Sequence, residues 1–195
     1  MTQEILLNFK GDIRKILLGL EWDPNEEARG VMGSIKPHNL DLSCAIFDNK
    51  RIVRDVITPQ DTKRDKYGQK IFHKGDNKSG GSDFEDEEIL INLDNIDDEI
   101  PMIGVIVSTN DNVKISDIQN GRCSFLDASD LSSFLSLDLK DLASNDEAVN
   151  VPKQQHFLMG VIKQNKQSDC VIIDHQMILK SMEPEEIEAA TQIVL

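Results

Sequence analysis

The residues best able to do chemistry crowd into one stretch, His73-Lys-Gly-Asp-Asn-Lys-Ser-Gly-Gly-Ser-Asp-Phe-Glu-Asp-Glu-Glu-Ile89. Between positions 75 and 88, six carboxylates (Asp76, Asp83, Glu85, Asp86, Glu87 and Glu88) face a single basic residue, Lys78. Gly75, Gly80 and Gly81 let the backbone turn tightly through conformations closed to other residues. So many like charges in one loop repel unless something neutralises them. Calcium does so, because it takes several oxygen ligands from carboxylates, amides and carbonyls. The plainer reading is a solvated acidic loop, the usual fate of a charge run. The spacing is not that of an EF-hand: counting from Asp76, the third and fifth positions are Lys78 and Gly80. Any cage here is of another design.

These side chains must be held by short strands. Asn39–Phe47 alternates, with Leu40 and Leu42 on one face and Asp41 and Ser43 on the other, the pattern of a half-buried strand. Asp41 could therefore reach a cation held by the acidic loop, or simply face water. Further strand-like runs are Ile13–Leu20, Arg51–Ile57, Ile89–Leu93, Met102–Ser108, Arg122–Leu126, His156–Lys163 and Cys170–Asp174. Asp127–Ala143 is ambiguous, and its leucine spacing predicts a helical turn followed by a strand at Leu135–Leu139. Pro24–Pro37 and residues 60–70 are polar connections. From Glu183 the tail is helical, with Pro184 in the first turn and Ile187, Ala190 and Val194 on one face. About nine short strands predict an all-β fold, an antiparallel β-sandwich spanning 1–180, with short helical segments and a C-terminal helix over 181–195.

Composition excludes several classes. The chain has 21 basic and 35 acidic residues among 195, a net charge of −14. Such a surface repels nucleic acid and anionic lipid. No apolar run approaches the ~20 residues that span a bilayer, and no leader is evident at the start. Cys44, Cys123 and Cys170 are scattered, as expected of packed thiols in a reducing, cytoplasmic setting. His38, His73, His156 and His175 lack zinc spacing. A hard cation avoids imidazole, so His73 is expected to end a strand or support the ligands. Asp23 either joins the site or caps the turn before Pro24, and Asn77 either ligates or closes a turn on its own backbone. No nucleophile–base motif is present, so no catalytic residue is assigned.

The stretch from His73 to Ile89 resembles the HTGDNRTGEGDGDDE-type motif of the TerD family of tellurium-resistance and stress-response proteins. Gly19-Leu-Glu-Trp-Asp23, Asp41-Leu42, the rhythm of Leu93–Val107 and the late strand Phe157-Leu-Met-Gly-Val-Ile162 are similar to the family too. The resemblance implies a Ca²⁺-binding, non-enzymatic cytoplasmic β-sandwich. Its partners would be other stress-response or tellurium-resistance proteins, including those of a membrane-associated complex. It places Asp76, Asp83, Asp86 and Glu87 on acidic motif positions, Glu85 where the family usually has Asp, and Asp41 in the middle of an Asp-Phe-Asp-Leu-Asp strand. Asn39 and Ser43 replace the flanking acids, which implies that one of the family's sites is weakened. The implied ligand set is thus Asp41, Asp76, Asn77, Asp83, Glu85, Asp86 and Glu87. An interaction scaffold with a degraded site is the alternative, and a metal-dependent phosphoesterase would need a base that the sequence does not supply.

Overall fold

The computed structural model describes residues 3–25, 38–61, 67–68, 70–81, 85–96, 100–110, 113–143, 155–164 and 169–192. Within them eleven strands form: β1 (Gln3–Leu6), β2 (Lys15–Glu21), β3 (Leu40–Phe47), β4 (Val53–Ile57), β5 (Ile71–His73), β6 (Glu87–Asn92), β7 (Met102–Thr109), β8 (Arg122–Asp127), β9 (Ser133–Asp138), β10 (His156–Gln164) and β11 (Cys170–Leu179). Two short helices follow β9 and β11: α1 (Lys140–Ala143) and α2 (Pro184–Gln192). The strands make two antiparallel sheets. One has six strands in the order β1-β11-β10-β7-β3-β4, the other five in the order β5-β6-β2-β8-β9. The expected antiparallel sandwich is what the chain forms.

The main core lies between the sheets, where Leu40, Leu42, Cys44 and Ile46 of β3 meet Ile16, Leu18 and Leu20 of β2. All three cysteines are free and buried. Alternation along β3 is as expected, but its other face does not simply meet water. Ala45 and Phe47, with Ile106 and Leu158, form a second apolar layer closed by Ile187 and Ala190 of α2. The C-terminal helix is thus the lid on the outer face of the six-stranded sheet. Glu188 also fixes it to a sheet edge by accepting a hydrogen bond from the Val53 N–H at 2.8 Å. Val194, expected on the same helical face, lies outside the described residues.

The segment after β8 reverses the expected order. A turn comes first, then strand β9, then the helical turn α1. Polar groups decide this. The Asp127 carboxylate accepts from the Ser129 N–H and hydroxyl, Asp130 accepts from the Ser132 N–H, and Leu131 takes a φ of 60°. Aspartates that bond their own backbone favour turns over helix, so the leucines that follow zip onto β8 as a hairpin. The strands β1 and β5, of four and three residues, are the two added to the sequence expectation.

Candidate metal centre

The two sheets are joined at one corner through Leu42. This residue lies beyond the β3–β4 ladder, which begins at Cys44 and Ile57. Its free edge is taken by side chains from the opposite sheet. Leu42 N–H donates to Glu87 Oε2 at 2.7 Å, and Leu42 C=O accepts from His73 Nε2 at 2.8 Å. His73 Nδ1 accepts from Gly75 N–H at 3.0 Å, so the ring is the neutral Nε2–H tautomer with both nitrogens occupied. This explains why the motif opens on a histidine. It orients the loop against β3.

Glu87 starts β6, where the pleat sends it inward with Ile89 and Ile91 while Glu88 points outward to Lys74. It is 1% exposed. One oxygen each of Asp41, Asp76 and Glu87 lie within 4.8 Å of one another. Burial, with the Asp41 and Asp76 charges adding to it, pushes the Glu87 carboxyl up to about 8. Burial and then Asp76 raise Asp41. Among the described residues, Lys78 supplies a counter-charge, 3.8 Å from Asp76 and largely exposed. The Asn39 Nδ2 donates to Asp41 at 3.1 Å, while Asn39 Oδ1 is buried without a hydrogen-bond partner.

The other sequence candidates have different surroundings. Asp86 accepts from the Trp22 N–H at 2.9 Å and from Asn77 Nδ2 at 3.1 Å, and its own N–H bonds Leu20 C=O. Asn77 Oδ1 accepts from the Ser79 and Gly80 N–H groups, closing the turn expected as its alternative role. Glu85 lies over β2 at Gly19, where a Cβ would sit 2.3 Å from its carboxyl carbon. Burial, followed by Glu21, Glu88 and Asp86, raises Glu85 to about 7, and its Oε2 is buried without a partner. Asp23 accepts from Asn120 Nδ2 at 2.7 Å and lines a different hollow, with Trp22, Asp86 and Asn120. Asp83 lies outside the described residues. Among the described residues, Asp41, Asp76 and Glu87 bring oxygens within 4.8 Å of one another, while Asp76, Asn77, Glu85, Asp86 and Glu88 line one hollow of about 210 Å³, with Asn77 and Asp86 also bracing the loop.

Gly80 makes that bracing feasible. Its φ is +70°, and a Cβ there would lie 2.5 Å from the Trp22 carbonyl and 2.6 Å from Trp22 Cδ1. Gly81 N–H bonds the same carbonyl at 3.0 Å. A Gly80→Ala substitution should therefore lift the loop from Trp22 and destabilise the fold by about 1–3 kcal/mol. A lower melting temperature with altered tryptophan emission would register it; unchanged values for both would contradict this packing.

A two-sheet antiparallel sandwich whose corner is closed by a glycine-rich acidic loop defines the class of domain. The family model described as the TerD domain matches residues 2–153, and the chain belongs to that family. It is similar to the tellurium resistance protein TerX of Serratia marcescens, 27% identical over 140 residues, covering 60% of this chain and 65% of that one. It is also similar to the stress response protein SCP2 of Bacillus subtilis, 27% identical over 143 residues, covering 68% and 71% of the two. Among solved structures, a Streptomyces coelicolor homologue of the telluride resistance protein TerD superposes with a TM-score of 0.67 at 16% identity, covering 90% and 95%. That likeness shows the shared fold. No helix among the described residues is long and apolar enough to cross a membrane.

Proposed function

We propose that this chain is a non-enzymatic calcium-binding protein of the tellurium-resistance and stress-response type, with the ion held by Asp41, Asp76 and Glu87. The observation that carries the reading is the convergence of three carboxylate oxygens from β3, the loop and β6 within 4.8 Å. Two oxygens on opposite sides of a calcium ion stand about 4.8 Å apart, given Ca–O distances near 2.4 Å. The donor set is all hard oxygen. Rotating the Asn39 amide about its last bond would turn its orphaned oxygen toward Asp41 and add a neutral ligand. His73 and Asp86, already hydrogen-bonded, support the cage from behind. Bound calcium would cancel the mutual repulsion that adds to burial in raising Asp41 and Glu87. It would also order the loop as a docking surface for other stress-response proteins in the cytoplasm, including those of a membrane-associated complex.

The carboxyl shifts set the pH dependence. Glu87 is raised in the folded protein, so the metal-free fold binds a proton more tightly than the unfolded chain does. The stability tied to that proton is full below the ordinary glutamate value and is lost as pH rises through about 8. Calcium competes with the same proton, so its affinity rises with pH by up to about tenfold per unit below that value. Thermal melts with and without calcium should thus diverge by several degrees, and more at pH 8.5 than at pH 6. No calcium heat in titration calorimetry at millimolar ion, together with superimposable melts, would reject the proposal.

A further inference from the structure

We propose that the outer face of the six-stranded sheet carries a further pocket, sharing Asp41 with the proposed cation site, for a small uncharged polyhydroxylated molecule, built on the row Asp41–Ser108–His156. In the ladder, Asp41 pairs with Ser108 and Ser108 with His156, so the three occupy one line across β3, β7 and β10. They share the face of Ala45, Ile106 and Leu158, which is apolar further along and covered by α2. At this end a pocket of about 330 Å³ opens instead, near the lower limit of small-ligand sites. Ser43 adds a second hydroxyl, and Val56, Pro59 and Met182 supply an apolar wall.

Ser108 Oγ and His156 Nδ1 are 2.7 Å apart, and both residues are buried. Polar groups on a covered face are unfavourable unless partnered, and here they line open space rather than fill the core. Burial lowers His156, so the ring is neutral at pH 7. The pair looks like the first link of a hydrolytic triad, but the order is wrong. The register sets serine between the acid and the histidine, so Asp41 does not orient the imidazole as acyl transfer requires. Binding is the function this arrangement supports.

The lining chooses the ligand class. Among the described residues that line it there is no lysine or arginine, and Asp41 would repel phosphate or carboxylate. Asp41, already accepting from Asn39, keeps lone pairs to accept a hydroxyl, the two serines both donate and accept, and the apolar wall suits the C–H face of a ring. A monosaccharide-sized polyol meets all three demands.

The test uses the full chain, in calcium and in chelator. Glucose, ribose and myo-inositol are compared with glucose phosphate, ribose phosphate and putrescine by saturation-transfer NMR, followed by calorimetry. An uncharged polyol is expected to bind, and Ser108→Ala to weaken it by about tenfold. Gln60→Trp, at an exposed position on the pocket lining, should block it with the melting temperature unchanged. Polyol binding measured in chelator, where no cation engages Asp41, should persist, so failure of the calcium reading would not count against the pocket. Absence of polyol binding, affinity indifferent to both pocket variants, preference for the phosphates or putrescine, or labelling of Ser108 by a fluorophosphonate would each overturn the proposal.

Discussion

Asp76→Ala is expected to weaken calcium binding by at least about a hundredfold while leaving the metal-free protein as stable as before, or more so. The two effects have one cause. Asp76 sits on the loop, where its charge raises both Asp41 and Glu87. Without a cation, its removal relieves repulsion. With one, its removal deletes a ligand whose attraction for a divalent ion, at about 4 kcal/mol per unit charge pair in a partly solvated site, exceeds the threshold for two decades of affinity. Calorimetry measures the first effect and thermal melting in chelator the second. A variant that binds calcium like the parent would exclude Asp76 from the cage. One that loses stability in chelator would show that the carboxylate is structural.

The second large effect belongs to a residue that ties the two sheets together. His73→Ala should destabilise the fold by about 3–5 kcal/mol, because it empties a fully buried site and leaves Leu42 C=O and Gly75 N–H without their partner. For a domain of this size that lowers the melting temperature by about 10 °C. His73→Gln retains a donor for Leu42 C=O but cannot also accept from Gly75, so it should recover part of the loss. Equal melting of Ala, Gln and parent proteins would show that the corner does not hold the sheets together. Calcium binding should weaken in both variants through the displaced loop. Its pH dependence should persist, since Glu87 supplies that proton.

Most of the sandwich was legible in the sequence, since strand periodicity is local and the β-branched runs are separated by turn residues. The motif loop was legible for the same reason: its glycines and carboxylates are contiguous. Which carboxylates share a site was not. Glu87 and Glu88 are neighbours of identical type, and only the phase of the β6 pleat sends one to the corner and the other to Lys74. Asp86 looks like a ligand in the motif, and the fold gives it a bracing role that the motif did not announce, with Trp22 N–H and Asn77 each bonding one of its oxygens. Glu85 finds its place because Gly19, far away in sequence, lacks a side chain. The row Asp41–Ser108–His156 depends on pairing across three distant strands, and no local pattern announces it. The inverted order after β8 had a readable cue in Asp127 and Asp130, whose turn-forming bonds outweigh the leucine spacing.

The placement of sulfur bears on life under oxidising stress. Cys44, Cys123 and Cys170 are all sealed in the interior, and that enclosure keeps their thiols protonated, Cys170 up to about 12. The thiolate is the form that oxidants attack. A reagent that strips electrons from exposed sulfhydryls elsewhere would reach these three only when the strands around them open.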